Sequence, residues 1–439
     1  MAEHNPHDLL ADRLDRIRTR TARIVVLGQG YVGLPVAIRA SEVGFAVVGF
    51  DTSQQRVEAL QRGESYVEDI SAVALAAALA AGYRPTSDAS ELAGFDVAVI
   101  SVPTPLRDGL PDISYIADAA RVLAEVLAPG AVIILESTTY PGTTEEVLVP
   151  ALEASGCRVG VDLFVGYSPE RIDPGNPKWN LVNTPKVVSG VDAASTELVD
   201  AFFSALVERT VPVGSCAEAE LVKLLENTFR HVNIALVNEL AMFAGELGVD
   251  VWRAIDAAST KPFGYMRFTP GPGVGGHCLP IDPSYLSWRV RRKTGRSFRF
   301  VELANDVNEH MPEYVVSRSI DLLNRQRRSV NGSRILCLGL AYKANTSDAR
   351  ESPSRHIIDQ LMALGADVVV CDPHIPHINA GALVDHMVPF NAEELAGADL
   401  VIVLVDHVTF DPKFIAEHSR AVLDTKGITS GIEFVGERL

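Results

Sequence analysis

The segment "ARIVVLGQGYVGLPVAIRASEVGFAVVGFD" joins an apolar strand, a glycine-rich turn, a helix and a second apolar strand. Gly28, Gly30 and Gly33 form the pattern G-x-G-x-x-G at the turn. In this setting the first glycine permits a tight turn and the second lets the backbone approach a pyrophosphate, while the third allows close packing of helix and strand. The segment therefore predicts a βαβ unit of a doubly wound α/β domain that binds a dinucleotide.

The second strand ends in Asp51, where a carboxylate can accept hydrogen bonds from the ribose hydroxyls of an adenosine. Its charge would repel a 2′-phosphate, so NAD is expected rather than NADP. Arg56 either stacks on the adenine or pairs with Asp51. A glycine-rich turn without a ligand is the alternative interpretation. The further residues expected near the cofactor are Tyr31, Val32, Thr104 and Thr138, although a lone threonine is as typical of a turn.

The same rhythm of strand and helix recurs along the chain of 439 residues and divides it into three predicted domains. Strands in "FDVAVISVPTP", "AVIILESTTYPG" and "VDLFVGYSPE" continue the first α/β domain, residues 1–213. Residues 214–328 show helical periodicity, with a long helix that is either continuous or broken near Gly248. Residues 329–439 restart the alternation of strand and helix. The expected fold is two Rossmann-like doubly wound α/β domains joined by a long central helix and a helical dimerisation domain.

Composition excludes several classes of partner. The formal net charge of −17 argues against nucleic acid and anionic membranes, which need a basic face, but not against a small phosphorylated ligand. No apolar run reaches the length of a membrane span, and the charged N-terminus predicts a short amphipathic helix rather than a signal peptide. The five cysteines are widely spaced without a C-x-x-C pair, so neither a disulfide framework nor a metal site is expected. A reducing cytoplasm is the expected compartment.

Two polar groups on the long helix and one cysteine in a Gly/Pro loop are candidates for chemistry. Lys223 and Asn227 lie four residues apart and so share a helix face. Such a lysine is usually a surface residue whose stem covers apolar neighbours, but a Lys–Asn pair in a cleft would hold an oxyanion. Cys278, in "GPGVGGHCLPID", lacks a second pair of metal ligands and an obvious disulfide partner, and its loop is a poor core position. The role of His277 stays undecided.

Seven motifs in order resemble the UDP-glucose/GDP-mannose dehydrogenase family over nearly the full length of the chain. They are "GQGYVG" with Asp51, "SVPTP", "ESTTYPGTT", "YSPERIDPG", "AELVKLLENTFRHVNIALVNEL", "GPGVGGHCLPIDP" and "GLAYKANTSDARESPS". The resemblance implies that the N-terminal domain binds NAD, that the C-terminal domain binds a nucleotide sugar, and that the central helix forms a homodimer or higher homo-oligomer.

The resemblance also implies roles for individual residues. Cys278 matches the family nucleophile, and Lys223 and Asn227 match the pair that stabilises an oxyanion. Glu170 matches a proposed general base and Asp282 an aspartate that assists water or Lys223, so which of them activates water stays open. Thr138 matches a threonine near the nicotinamide and the catalytic water. The residues expected to contact or shape the substrate are Glu170, Arg171, Lys223, Asn227, Arg267, Phe268, Gly275, Gly276 and Lys343.

The expected reaction is the NAD-dependent, four-electron oxidation of C6 of a UDP-sugar to a carboxylate. "PERIDPG", "GGHCLPIDP" and "PFGYMRFTPGPG" look most like the branch that acts on UDP-N-acetyl-glucosamine. The alternatives are UDP-glucose, UDP-N-acetyl-galactosamine, UDP-N-acetyl-mannosamine and GDP-mannose. A non-catalytic sensor of NAD or a nucleotide sugar would not need Cys278, Lys223, Asn227 and Asp282 together, and a one-step hydroxyacid dehydrogenase would not need the cysteine loop.

Overall fold

The computed structural model of the chain describes residues 5–67, 69–107, 109–173, 176, 178–276, 279, 281–376 and 380–439. His277 and Cys278 lie outside the described residues. The chain divides into two compact units, Met1–Glu226 and Asn227–Leu439. The three-domain division at residues 213 and 328 stays a prediction.

The first unit is built on one large sheet. Its strands are β1 Arg23–Leu27, β2 Ala46–Phe50, β3 Arg84–Thr86, β4 Val97–Ile100, β7 Ala131–Leu135, β8 Leu163–Tyr167, β9 Lys186–Gly190 and β10 Thr210–Pro212, while β5 Leu106–Arg107 and β6 Leu110–Pro111 form a separate hairpin. The sheet order is β10-β9-β8-β7-β4-β1-β2-β3. Among the described strands of this sheet every neighbouring pair is parallel except β8 with β9. The central strands are the apolar runs that the sequence predicts, and they are buried on both faces.

Helices cover both faces of this sheet and enclose two apolar cores. Several helices begin with a side-chain cap, for example Ser53, Ser71 and Asp192, each of which accepts a backbone N–H of the first turn. The helices are α1 Pro6–Arg18, α2 Gly33–Glu42, α3 Gln54–Gln61, α4 Ala72–Ala80, α5 Ser114–Ala124, α6 Val149–Glu153 and α7 Ala193–Ser204.

The N-terminal helix α1 is held against the sheet by a buried aspartate. Asp96, which is 1% exposed, pairs with Arg13 at 2.6 Å and Arg16 at 2.5 Å. Arg13 Nε also donates to the carbonyl oxygen of Gly130 at 2.8 Å. The amphipathic helix expected at the N-terminus is therefore present and packed.

The long helix of the sequence is α8, Cys216–Ala244, and it begins in the first unit and ends in the second. The periodic segment continues in α9, Val251–Ala258. Between them Gly248 has a φ of +69°, which favours glycine. The structure thus shows the broken form of the helix, with the break where the sequence allowed it.

Near its start α8 is tied to the turn after β7 by a buried carboxylate. Glu220 Oε1 accepts hydrogen bonds from the backbone N–H and the hydroxyl of Thr144, and Oε2 accepts the N–H of Gly142, at 2.5–2.8 Å. Burial raises the pKa of Glu220 to about 7, because loss of hydration outweighs these hydrogen bonds.

This pKa predicts a pH-dependent stability. Between pH 4.5 and 7 the unfolded chain loses the Glu220 proton while the folded chain keeps it, so the free energy of unfolding falls as pH rises. We expect Glu220→Gln to remove roughly 2–3 kcal/mol of this decline between pH 5 and pH 8. Urea unfolding of both proteins at the two pH values measures it. Equal declines in the two proteins would contradict the assignment.

The second unit combines helices with a smaller parallel sheet. It holds the C-terminal part of α8, then α9, α10 Asp282–Thr294, α11 Arg299–Arg325, α12 Pro353–Ala363, α13 Ala392–Gly397 and α14 Pro412–His418. Its strands are β11 Arg334–Leu338, β12 Asp367–Cys371, β13 Leu400–Val403, β14 Val422–Asp424 and β15 Gly436–Arg438, in the order β12-β11-β13-β14-β15.

This architecture confirms the predicted fold class: along the chain, one Rossmann-like α/β sheet precedes the long helix α8 and a second one follows it. Several short strands were not predicted, namely β3, β5, β6, β10 and β15. The last of them is three residues long and its side chains are partly exposed, so it carries no apolar run. In the described part of the chain, no helix is long and apolar enough to cross a membrane.

Candidate active site

The glycine-rich turn meets the demands of a dinucleotide loop. A Cβ on Gly28, whose φ is +90°, would lie 2.4 Å from the carbonyl oxygen of Ser101, and a Cβ on Gly33 would lie 1.9 Å from that of Gly28. Around Gly30 no described protein atom lies within 4 Å of such a Cβ. Packing therefore requires the outer two glycines, while the space at Gly30 is left for a group outside the protein.

The start of α2 also suits a phosphate. Val32 occupies the N-cap without a side-chain hydrogen bond, so the first N–H groups of the helix are not capped by a side chain. Exposed helix N–H groups and the helix dipole favour an anion. Tyr31, beside it, is 45% exposed. These features fit the pyrophosphate of NAD.

Asp51 lies immediately after β2, as predicted. Its Oδ2 accepts the N–H of Gln29 at 2.9 Å, and its Oδ1 accepts the N–H of Ser53 at 2.8 Å. Each carboxylate oxygen has two lone pairs, so acceptor capacity remains for ribose hydroxyls. Arg56 Nη1 lies 3.5 Å from Asp51 Oδ2, so the structure shows the pairing with Asp51 that the sequence left as one alternative.

The threonines expected near the cofactor follow two neighbouring strands. Thr104 is half-buried in the segment after β4, and Thr138 follows β7. Lys223 Nζ, on α8, donates to Thr138 Oγ1 at 2.6 Å. The lysine is therefore directed at the sheet rather than extended into solvent.

Glu170 follows β8 in the same unit and is 7% exposed. Its Oε1 accepts the N–H groups of Arg171 and Ile172 at 2.6 and 2.7 Å, and its Oε2 accepts Lys186 Nζ at 2.7 Å. Burial alone would raise the pKa of this carboxyl. Lys186, these hydrogen bonds and the charge of Lys223 outweigh burial and hold the pKa below its usual value.

The arginine next to Glu170 is committed to other protein groups. Arg171 forms a two-pronged ion pair with Glu226, at 2.5 and 3.2 Å, and donates to the carbonyl oxygen of Pro185 at 2.7 Å. This planar pairing fixes the guanidinium. It places Arg171 beside the general-base candidate without showing a contact for a sugar.

In the second unit Asn227 and Asp282 contact each other. Asn227 Nδ2 donates to Asp282 Oδ2 at 2.6 Å, and the two residues are 9% and 2% exposed. Asp282 is the first residue of α10, where the helix dipole stabilises a carboxylate. The contact orients the Asn227 amide, as a donor aimed at an oxyanion requires.

The loop that leads to the cysteine is fixed by packing. The N–H of Gly271 donates to Asn238 Oδ1 at 2.9 Å. A Cβ on Gly275 would lie 2.7 Å from the carbonyl oxygen of Glu351, and one on Gly276 would lie 2.7 Å from the ring of Tyr342. The glycines are thus required by packing against the segment that also carries Lys343, a reason that the sequence alone did not suggest. Cys278 itself lies outside the described residues.

The two remaining substrate candidates make protein contacts. Arg267 pairs with Asp256 at 2.9 Å, both about half exposed. The ring of Phe268 packs edge-on against Phe229, with 5.8 Å between centroids. These contacts do not show a sugar pocket.

The other cysteines behave as packing residues. Cys337 and Cys371 are buried in β11 and β12, and burial raises the pKa of each thiol to about 12. Cys216 is buried at the start of α8, and its pKa is raised likewise. Such thiols carry little thiolate at neutral pH and are poor nucleophiles.

Three sequence models of one family match the chain in order. They are the NAD binding domain of the UDP-glucose/GDP-mannose dehydrogenase family at residues 22–207, its central domain at 217–310 and its UDP binding domain at 336–431. The chain belongs to the UDP-glucose/GDP-mannose dehydrogenase family. The resemblance drawn from the motifs is thereby confirmed.

Individual members of the UDP-glucose/GDP-mannose dehydrogenase family are similar over most of their length. A UDP-N-acetyl-D-mannosamine dehydrogenase from Pyrococcus horikoshii is 36% identical over 392 residues, which is 88% of this chain and 90% of the relative. A UDP-N-acetyl-D-glucosamine 6-dehydrogenase from Pseudomonas aeruginosa is 36% identical over 356 residues, 80% of this chain and 83% of the relative. A solved structure of a UDP-D-ManNAc dehydrogenase from Pyrococcus horikoshii has a TM-score of 0.85 at 34% identity, covering 94% of this chain and 98% of that one.

These similarities establish the general reaction that the members of the UDP-glucose/GDP-mannose dehydrogenase family share. The chain is an NAD-dependent UDP-sugar dehydrogenase, an oxidoreductase. NAD is its cofactor, in agreement with the loop at Gly30 and the carboxylate of Asp51.

Sequence analysis missed two buried charges beside Glu170 in this dehydrogenase. Lys186 Nζ lies 2.6 Å from Glu136 Oε1 as well as 2.7 Å from Glu170 Oε2. The available signal was a lysine at the start of the apolar strand "KVVSG" and a glutamate directly after "AVIIL". A charge beside a buried strand implies a partner, because an unpaired buried charge is costly.

Proposed function

We propose that this dehydrogenase oxidises C6 of UDP-N-acetyl-glucosamine to the carboxylate through a covalent intermediate on Cys278. The observation that carries the proposal is a pair of side-chain contacts one helical turn apart along α8: the partly buried contact of Lys223 with Thr138 and the buried contact of Asn227 with Asp282. We assign NAD to residues 1–213 and the UDP moiety to residues 329–439.

The motifs after Glu170 and around Cys278 favour UDP-N-acetyl-glucosamine, and the Pseudomonas aeruginosa relative is named for that substrate. UDP-N-acetyl-mannosamine is the second candidate, because the relative from Pyrococcus horikoshii is equally identical over a larger share of the chain. Both candidates carry an N-acetyl group at C2 and differ in the configuration of that carbon.

The chemistry requires a nucleophile as well as a cofactor. Oxidation of an alcohol to a carboxylate removes four electrons, and bound NAD accepts two of them as a hydride, so two NAD serve in turn. After the first oxidation the Cys278 thiolate adds to the aldehyde carbon and keeps the intermediate on the protein. Loss of a second hydride from this tetrahedral adduct leaves a thioester, which water hydrolyses to the carboxylate and the free thiol.

Lys223 and Asn227 supply the donors for the oxygen that becomes negative in these steps. A cation and an oriented amide stabilise an oxyanion more in the transition state than in the ground state. The same Lys223 charge would favour the thiolate form of Cys278. Thr138 fixes the ammonium of Lys223, and Asp282 fixes the amide of Asn227.

The base that activates water is Glu170 or Asp282. Each carboxylate is buried and hydrogen-bonded in its own unit. Glu170 shares its neighbourhood with Lys223 and keeps a lone pair on Oε2 beyond the contact with Lys186. We therefore favour Glu170 as the base and Asp282 as the residue that positions Asn227.

Measuring NADH yield over a panel of nucleotide sugars tests the proposal. The panel holds the UDP forms of N-acetyl-glucosamine, N-acetyl-mannosamine, N-acetyl-galactosamine and glucose, together with GDP-mannose. We expect two NADH per UDP-N-acetyl-glucosamine, and with NADP a rate at least about tenfold lower, because Asp51 repels the added phosphate. If kcat/KM is higher for UDP-N-acetyl-mannosamine than for UDP-N-acetyl-glucosamine, the substrate assignment changes to UDP-N-acetyl-mannosamine. No NADH from any sugar would favour the non-catalytic sensor.

We also propose a homodimer formed through α8. Apolar side chains recur at helical spacing on this helix and are exposed, at positions Leu221, Leu225, Phe229, Leu236, Leu240 and Phe243. Sedimentation analysis is expected to give at least twice the chain mass of 47.3 kDa. Leu236→Glu combined with Leu240→Glu is expected to shift the protein to monomers, because it buries charge at the contact. A wild-type monomer at micromolar concentration would refute the dimer.

A further inference from the structure

Three charged side chains form a buried row in the first unit. Lys186 Nζ lies 2.6 Å from Glu136 Oε1 and 2.7 Å from Glu170 Oε2. Glu136 is 1% exposed, Lys186 3% and Glu170 7%. On the far side of the row, Ser101 Oγ donates to Glu136 Oε2 at 2.7 Å. Burying two carboxylates with one ammonium leaves an excess negative charge, which costs free energy unless one of the two carboxylates holds a proton.

The antiparallel strand pair explains how the row is assembled. Pairing of β8 with β9 sets Gly166 opposite Gly190 and Tyr167 opposite Ser189. Because β9 runs in reverse, its first residue, Lys186, lies at the edge where the parallel strands β7 and β8 end. Glu136 and Glu170 follow those two strands. A parallel β9 would have started at the opposite edge.

The hydrogen bonds of Glu170 leave one carboxylate lone pair at which it can accept a proton. Both lone pairs of Oε1 are used by the backbone N–H groups of Arg171 and Ile172, and one lone pair of Oε2 is used by Lys186. Among the described residues, none donates a hydrogen bond to the remaining lone pair of Oε2. A water molecule there would lie next to the oxygen that is bonded to Lys186.

Building on the proposed hydrolysis of the Cys278 thioester, we propose that Lys186 and Glu136 complete a proton relay behind Glu170. The attacking water gives a proton to Glu170 Oε2 as its oxygen bonds to the thioester carbon. Lys186 Nζ passes one of its protons to Glu136 Oε1 and takes the proton of Glu170 in exchange. Glu170 is again a carboxylate, Lys186 is again an ammonium, and Glu136 holds the proton until it returns by the same path to bulk water.

The charges and the burial of the row favour transfer of the proton from Glu170 to Glu136. Burial raises the pKa of Glu136 more than the Lys186 charge lowers it, whereas the pKa of Glu170 is held below its usual value. A proton is therefore more stable on Glu136 than on Glu170. The other charged group that acts on Glu170 is Lys223, on α8, while Arg171 is paired with Glu226. Protonation of Glu136 also leaves the row with no net charge, which is less costly to bury.

Glu136→Gln tests the relay, because the amide keeps the shape and can still accept from Lys186 and contact Ser101. We expect both hydride transfers to proceed and hydrolysis to slow by about tenfold to a hundredfold. A burst of two NADH per active site should then precede a slow steady state, and intact-protein mass spectrometry should find the sugar acyl group on Cys278. Glu220→Gln, a buried glutamate outside the row, should show neither the burst nor the accumulated acyl group.

The pH profile of the steady-state rate gives a second measurement. In the wild type the rate should rise with pH through the raised pKa of Glu136. In Lys186→Met the rise should move to higher pH, because both carboxylates lose a cation, and in Lys186→Arg it should stay near its wild-type position. In Glu136→Gln it should move to lower pH.

Hydrolysis at the wild-type rate in Glu136→Gln would overturn the relay, as would an equal slowing of the first hydride transfer. An unmoved pH profile in Lys186→Met would show that the lysine only supports the fold. If the wild type itself yields no NADH, or no acyl group on Cys278 in any variant while two NADH per sugar are still formed, the proposed function fails rather than the relay.

Discussion

Replacing Cys278 by alanine is expected to reduce formation of the sugar carboxylate by at least about 10⁴-fold, because the thiol is the proposed nucleophile. Without it the first oxidation can still occur, but the aldehyde has no adduct from which a second hydride is lost. NADH yield per sugar should therefore fall from two to at most one. Product analysis by mass spectrometry, together with NADH absorbance, measures both quantities.

Cys157→Ala is the matched control, because Cys157 is the half-buried free cysteine of the first unit and has no proposed role. It should keep the wild-type yield. If Cys278→Ala still released two NADH and carboxylate at the wild-type rate, the covalent mechanism would be wrong, and hydration of a bound aldehyde would be the better account.

Lys223→Met is expected to lower kcat by about 10² to 10³, with a smaller change in KM. Methionine keeps most of the length of the side chain but removes the charge and the donor that lies 2.6 Å from Thr138 Oγ1. Steady-state kinetics measure both effects.

Lys178→Met changes an exposed lysine of the same unit and should leave kcat unchanged. Combining Lys223→Met with Asn227→Ala should cost less than the product of the two single effects, because the residues are proposed to hold the same oxyanion. A rise in KM alone for Lys223→Met would mean that the lysine binds substrate without stabilising the transition state.

The fold could be predicted from sequence wherever one signal dominated. Buried parallel strands appear as short apolar runs, and the G-x-G-x-x-G pattern is recognisable within one turn. A Cβ on Gly33 is excluded by the backbone of Gly28 in that same turn, whereas a Cβ on Gly28 is excluded by the distant Ser101. The break in the long helix at Gly248 is local too. The short strand β15 has neither an apolar run nor a turn signal, because it is formed only by pairing with β14.

The candidate site was predictable only in part, because its decisive contacts join distant segments. The sequence shows that Lys223 and Asn227 share a helix face, but not that Thr138 and Asp282 are their partners. The role of Lys186 depends on β9 reversing direction, which no residue of "KVVSG" encodes by itself. Likewise the glycines before Cys278 were attributed to the sugar, whereas Tyr342 already excludes a side chain at Gly276.

The continuity of α8 makes the spacing of its two polar groups a matter of helical phase. Each residue of an α-helix advances by about 100°, so a single insertion between Lys223 and Asn227 would swing one group away from the other by more than a quarter turn. A substitution can be offset by a neighbouring side chain, but a shift of phase displaces every residue that follows. We therefore expect the activity to survive many substitutions at residues 224–226 and to be lost on any insertion or deletion between Lys223 and Asn227.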